Sequence, residues 1–272
     1  MHLKSINNIT KSKLNSAIEL VQWPVDPSID KQKIDEQVFA IQTTRIAPHQ
    51  GISQLASPYQ YFNLGLHVGD CAEKVQKNRQ FLQSILPNNA RVQWFDQVHG
   101  NHVAVVDELS PQKITADAAV TSSKDICLAI MTADCLPILL ASKYGNEIAA
   151  IHGGWRPLAA NIIDNTLEKM QTPAVDLYTW LGPCISQKYF EVGQEVKTKF
   201  IEQDKCFASA FIASVDGKYL ADLHQIARLQ LAHLGVKQIS TLPECTYSAT
   251  EKYYSYRKNA VTGRMASLIC LV

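Results

Sequence analysis

Two apolar runs of strand length, residues 126–132 and 137–141, stand a few positions apart near the middle of the chain and limit its fold more than any other feature. A near-continuous apolar run this short is the pattern of a strand buried on both faces. Further strand candidates are residues 38–44, 91–97, 102–107, 148–151, 177–181, 211–215 and 266–271. Apolar residues at helical spacing predict helices over 72–86, 158–170 and 222–234. Pro157 precedes the second as a good first-turn residue. Asp222 caps the third, Gln225 takes the reciprocal position, and Gly235 closes it. Residues 91–97 and 102–107 read as hairpin-like antiparallel neighbours. Strands and helices mix without strict alternation, so the expected class is α+β with mixed sheets rather than a doubly wound parallel sheet. Residues 1–36, polar and carrying Pro24 and Pro27, read as a peripheral N-terminal segment, leaving 37–272 as a single catalytic domain.

Composition removes several function classes. Lys and Arg number 26 against 25 Asp and Glu, a net charge of +1, which argues against a dedicated nucleic-acid or anionic-membrane binder. The longest apolar stretch, 126–142, is interrupted by Asp134 and Pro137 and is too short and polar to span a bilayer. The N-terminus shows no apolar core of a signal peptide. The seven cysteines are scattered without a CxxC pair, so reduced thiols in a cytoplasmic enzyme are expected. No GxGxxG, GxxxxGK[ST] or GxSxG motif is present, nor the HxE…PCxxC signature of zinc deaminases.

Three local sequences remain: Gln97-Val98-His99-Gly100, Thr132-Ala133-Asp134-Cys135-Leu136-Pro137 and Ile151-His152-Gly153-Gly154-Trp155-Arg156. Each places a soft or borderline donor at a strand terminus, where a rigid scaffold presents reactive groups. His99, Cys135 and His152 would offer N, S and N to one ion, and three protein ligands plus an open position is the recipe of a catalytic zinc site. Cu²⁺ suits the same donors. The chain has only eight histidines and no His-x-His pair, so a multicopper cluster cannot be assembled in the usual way. Two other readings use the same residues: Cys135 as a small core side chain, or as a nucleophile with His152 as its base. Arginine is scarce, seven against nineteen lysines, and Arg45, Arg156, Arg257 and Arg264 lie in Gly-, Tyr- or Thr-marked stretches. Such forks suit phosphate. The run from Tyr253 to Lys258 sets aromatic faces beside a cation, as a nucleobase or sugar site would, or an edge strand.

Taken in order, these segments resemble one family closely. Thr43-Thr44-Arg45, Gly51-Ile52-Ser53, Pro58-Tyr59, Phe62-Asn63-Leu64-Gly65, His67-Val68-Gly69-Asp70 and Asn78-Arg79 lead into the three donor motifs. Leu181-Gly182-Pro183, Phe190-Glu191-Val192-Gly193, Tyr254-Ser255-Tyr256-Arg257 and Thr262-Gly263-Arg264 follow. The pattern resembles the YfiH-like, or laccase-domain, family over about residues 38–272. The resemblance implies an α+β fold of mixed β-sheets layered between helices in one domain, an α/β/β/α-like sandwich. It implies metal ligands at His99, Cys135 and His152. It also implies a zinc-dependent purine nucleoside phosphorylase acting on adenosine, inosine, guanosine and methylthioadenosine with phosphate, together with adenosine deaminase activity. A copper-dependent polyphenol oxidase and a cysteine amidohydrolase editing peptidoglycan precursors are the alternatives. Within that expectation Asp134 is a proton carrier or orients a ligand, and Arg45, Asn63 and Arg257 contact substrate. The chain departs from the family pattern at Gly153, Pro157 and Lys258, and by about four extra residues within 46–50.

Overall fold

A computed structural model describes residues 16–24, 31–48 and 57–272, and in it alternate residues of each central strand enter different cores. In chain order the strands are β1 (Ile18–Leu20), β2 (Val38–Thr43), β3 (Arg91–Gln93), β4 (Phe95–Asp96), β5 (Val103–Val105), β6 (Ile114–Thr115), β7 (Ala118–Thr121) and β8 (Ile126–Thr132). They continue with β9 (Leu136–Ser142), β10 (Ile148–Gly153), β11 (Leu177–Leu181), β12 (Glu191–Val192), β13 (Phe211–Ala213), β14 (Tyr219–Ala221), β15 (Gln238–Thr241) and β16 (Met265–Leu271). The helices are α1 (Lys31–Gln37), α2 (Ala72–Gln83), α3 (Trp155–Ala159), α4 (Ile162–Lys169), α5 (Gln194–Ile201) and α6 (Leu223–His233).

Two sheets stack face to face. One has the order β1-β2-β16-β8-β3 and the other β15-β11-β9-β10-β7-β5. Ile126, Leu128 and Ile130 of β8 meet Leu139 and Ala141 of β9 in the core between the sheets. The intervening Cys127, Ala129 and Met131 face the opposite way, onto Leu82 and Phe81 of α2. Leu136, Ile138 and Leu140 of β9 face Ile162, Ile226 and Leu231 of the helices on the far side. Side-chain period 2 on strands buried on both faces thus yields the α/β/β/α layering that the family resemblance implies.

Three details differ from the sequence reading. The antiparallel pair of 91–97 with 102–107 does not form: β3 runs parallel to β8, β4 to β6, and β5 to β7. The backbone groups such a hairpin would pair are taken by β8, β6 and β7, and the intervening loop is held instead by the Asp117 carboxylate, which accepts the backbone N–H groups of Val98, His99 and Gly100. The helix expected over 158–170 is two helices, α3 and α4, broken by Asn161 at φ 60°. Asparagine tolerates that left-handed conformation better than most residues. The third helix stands as read, with Asp222 accepting the Gln225 N–H at 3.0 Å. Within the segment read as a peripheral arm, β1 is an edge strand and Trp23 is buried in the core between the sheets. Residues 1–15, 25–30 and 49–56, including the Gly51-Ile52-Ser53 motif, lie outside the described residues. Among the described residues no helix is long and apolar enough to cross a membrane.

Candidate metal centre

The three donor motifs meet at one end of the sandwich. β8 belongs to one sheet and β9 to the other, so Ala133, Asp134 and Cys135 make the crossing between them, with Asp134 at φ 94°. His152 stands near the end of β10, beside β9. His99 lies in the loop after β4, at φ 59°. Gln97 holds that loop against β8: its side-chain amide donates to the Met131 carbonyl and accepts the Met131 N–H, both at 2.8 Å.

Donor atoms of His99, Cys135 and His152 all lie within 4.8 Å of one another. The Cys135 Sγ is 3.9 Å from His99 Nε2, and the two imidazole rings meet edge to face at 4.7 Å. His152 is buried, and its Nδ1–H donates to Asp117 Oδ1 at 2.8 Å. A carboxylate can only accept, so this bond fixes the tautomer and leaves Nε2 as the donor toward an ion. Asp117 also accepts from the backbone N–H of His99 at 3.0 Å, so one buried carboxylate positions two of the three donors. Burial pushes the Asp117 carboxyl up, but the bonds from His152, Gly100 and His99 outweigh it and hold it below the usual carboxylate range. Burial also opposes the Cys135 thiolate, yet the imidazolium of His152 and hydrogen bonds from both imidazoles bring the thiol down to about 6. The reciprocal attraction, working against burial, raises His152 to about 9. A thiolate and imidazoles crowded at one point, one imidazole backed by a carboxylate, are a donor set suited to a divalent transition metal.

Gly154 keeps this space open. A Cβ there would stand 3.1 Å from Cys135 Sγ and 3.3 Å from His99 Cδ2. Its φ of −67° accepts any L-residue, so the requirement is space and not backbone conformation. We expect Gly154→Ala to weaken metal binding by about tenfold or more while leaving the thermal midpoint of the metal-free protein within about 2 °C of wild type. A competitive chelator titration and a melting curve check the two halves. Gly153, the departure from the family pattern next to it, has no room for a methyl, since a Cβ would approach the Leu136 carbonyl to 2.7 Å.

The donors open onto a cavity of about 460 Å³ whose lining includes His67, Trp155, Phe190, Tyr256, Arg257 and Arg264. Arg156 lines it as well. The Arg257 guanidinium is held by the Glu191 carbonyl at 3.2 Å and lies over the Phe190 ring at 5.3 Å. Arg264 donates to the carbonyls of Thr262 and Gly263 at 3.0 and 2.9 Å. Burial, with the charges of Arg264 and Arg79, pulls the His67 pKa down. The remaining sequence candidates lie differently. Asp134 reaches the lining, but its carboxylate accepts from Thr246 Oγ1 at 2.6 Å, Ser255 Oγ at 3.0 Å and the Arg257 backbone N–H at 2.7 Å. Arg45 is outside the lining, donating to the Thr250 carbonyl at 2.8 Å and covering the Tyr254 ring at 4.8 Å. Asn63 is fully buried, donating to Asp70 Oδ2 at 3.0 Å and accepting the Arg264 backbone N–H at 2.9 Å.

Sequence reading missed Asp117. Its signal was a lone carboxylate in the otherwise apolar run Ala116-Asp117-Ala118-Ala119-Val120, where burial demands a partner. His67 was noticed only inside a motif, and nothing local to it announced the cavity.

The chain matches, over residues 40–272, the family described as multi-copper polyphenol oxidoreductase laccase. A protein of Escherichia coli named purine nucleoside phosphorylase YfiH is 40% identical over 257 residues, covering 94% of this chain and 100% of the relative. A protein named purine nucleoside phosphorylase PA4543, from Pseudomonas aeruginosa, is 40% identical over 236 residues, covering 86% of this chain and 94% of that one. Among solved structures, Neisseria meningitidis protein NMB0706 superposes with a TM-score of 0.83 at 38% identity, covering 94% of this chain and 99% of that chain. YlmD from Geobacillus stearothermophilus gives 0.76 at 26% identity, covering 86% and 92%.

Proposed function

The chain belongs to the YfiH-like laccase-domain family, and on that premise we propose that it is a metal-dependent purine nucleoside phosphorylase whose ion is held by His99, Cys135 and His152. The observation that carries the reading is the convergence of these donors at the wall of a cavity lined by both guanidinium and aromatic groups. The relatives named purine nucleoside phosphorylase support it. Zinc fits the mixed N and S donors, and copper is the competing occupant. A divalent ion bound there would supply Lewis acidity.

The protein's own groups supply the rest. Phosphorolysis requires a phosphate oxygen to attack the sugar anomeric carbon as the bond to the purine nitrogen breaks, giving free base and the sugar 1-phosphate. Arg257 and Arg264 bind the phosphate and hold it against the sugar; each is anchored through some of its N–H groups and keeps others free for the anion. The exposed Tyr256 ring in the lining offers a face for the purine. A cavity of about 460 Å³ falls within the range of small-molecule sites. Asp134, whose carboxylate accepts from Thr246, Ser255 and the Arg257 backbone N–H, positions the Cys135 loop. Asn63 holds the Arg264 backbone from behind the wall, and Arg45 packs on Tyr254 outside the lining.

Adenosine incubated with and without phosphate, followed by chromatography, tests the reading. Adenine and ribose 1-phosphate are expected only with phosphate; inosine formed without phosphate would add the deaminase activity. Adenine released equally without phosphate would overturn phosphorolysis. Arg257→Ala is expected to raise the KM for phosphate about tenfold or more with a smaller change in the KM for nucleoside, measured by varying each in turn.

A cysteine amidohydrolase is the second reading, favoured by the low pKa of Cys135 beside His152. Above about pH 6 the metal-free protein holds Cys135 as thiolate, so iodoacetamide should alkylate it at pH 7 and bound zinc should protect it. Mass spectrometry of the labelled peptide reads both. Activity that survives metal stripping but dies on alkylation would favour the amidohydrolase. For a multi-copper centre the donors are too few: among the described residues, no group of three or more donors contains more than two histidines.

A further inference from the structure

On the helical side of the molecule, away from the cavity, a second cluster brings together Asp204, Cys206 and His233, with donor atoms all within 4.8 Å of one another. None of the three lines the cavity described above. Asp204 and Cys206 enter at the start of the short 3₁₀ turn Lys205–Ala210, and His233 is the last residue of α6.

The donors are held by separate constraints. Asp204 Oδ1 accepts the backbone N–H of Cys206 at 2.7 Å, which caps the turn and leaves Oδ2 toward His233 at 4.0 Å. Cys206 Sγ lies 3.8 Å from His233 Nε2. The buried Phe207 ring meets the His233 ring edge-on at 6.2 Å, steadying the imidazole with Nε2 toward the other two donors. Tetrahedral zinc, with bonds of about 2.3 Å to sulfur and about 2.0–2.1 Å to nitrogen and oxygen, sets the S···N separation near ~3.6 Å and N···O near ~3.3 Å. The two separations, 3.8 and 4.0 Å, lie within about 0.7 Å of these ideals. The side chains of His233 and Asp204 are about half exposed, so an ion has an entry path and a solvent-facing fourth position.

We propose that Asp204, Cys206 and His233 form a second divalent-metal site that takes zinc and ties the 3₁₀ turn to the end of α6. It is independent of the catalytic reading, because it shares no residue with the cavity. A thiolate, an imidazole and a carboxylate suit zinc far better than magnesium or calcium, which seek oxygen donors. Binding displaces the thiol proton of Cys206 to solvent and forms a metal–sulfur bond with no redox change.

The test is a Co²⁺ titration of metal-stripped full-length protein, followed by thiolate-to-metal absorption and by bound-metal analysis after gel filtration. The wild type is expected to take up about two equivalents, and Cys206→Ser and Cys135→Ser about one each. The Cys135→Ser protein should keep a thiolate absorption that the Cys135→Ser/Cys206→Ser double variant loses. Cys206→Ser should fold normally, because Asp204 caps the turn through the backbone and not the thiol; His233→Ala gives the same stoichiometry by another route. Undiminished wild-type uptake in Cys206→Ser and His233→Ala overturns the site. So does Cys135→Ser that takes up no cobalt with thiolate absorption, or does so only at millimolar metal.

Discussion

Cys135→Ala is expected to purify without metal at the catalytic centre and to lose about a thousandfold or more in kcat/KM for phosphorolysis, equivalent to about 4 kcal/mol of transition-state stabilisation. The thiolate is the one anionic donor among the three. Without it two imidazoles face the ion, and two ligands do not make a zinc site. The fold should tolerate the change. Cys135 is a small, partly exposed side chain in the crossing between sheets, and the carboxylate that anchors the crossing belongs to its neighbour Asp134. A melting midpoint within a few degrees of wild type, measured without metal, would separate loss of chemistry from loss of structure. Cys135→Ser should be equally inactive, because an alcohol of nearly the same size stays protonated where a thiol ionises.

Asp117→Ala should damage both fold and site. The carboxylate is fully buried and accepts the N–H groups of Val98, His99 and Gly100 and the Nδ1–H of His152. Removing it strands three backbone N–H groups and the Nδ1–H of the buried His152 imidazole, a cost of about 3–5 kcal/mol. For a chain of this size that lowers the thermal midpoint by about 10 °C. Loss of the carboxylate behind His152 should also weaken metal binding by about 10–100-fold. Its pH signature has a definite sign. The folded pKa of Asp117 lies below its unfolded value, so its stabilisation is full above the ordinary carboxylate range and is lost as pH falls through the folded pKa. Wild-type protein should therefore lose more thermal stability than Asp117→Asn as the pH drops from neutral into the carboxylate range, as a series of melting curves would show.

Much of this site could be read in the sequence because its donors are local features. His99 stands before a glycine, Cys135 lies between two apolar runs, and His152 ends a third. The layering was legible for a related reason: strands such as 126–132 that are apolar at every position have to be covered on both faces. The pairing of 91–97 was not legible. Its partners are distant in the chain, β8 for β3 and β6 for β4, and no local pattern names them. Arg45 and Arg264 both sit beside turn residues, and nothing local to either says that Arg264 lines the cavity while Arg45 covers the Tyr254 ring. Composition and spacing name the reactive groups; long-range hydrogen bonds decide which of them face one another.

X-ray absorption at the metal edge of the zinc-loaded Cys206→Ser protein tests the central claim most directly, since that variant leaves His99, Cys135 and His152 as the sole cysteine-containing group among the described residues that could hold a metal ion. One sulfur scatterer at about 2.3 Å and two imidazoles at about 2.0–2.1 Å is the result expected from His99, Cys135 and His152. A shell of nitrogen and oxygen alone, with no sulfur, would contradict it.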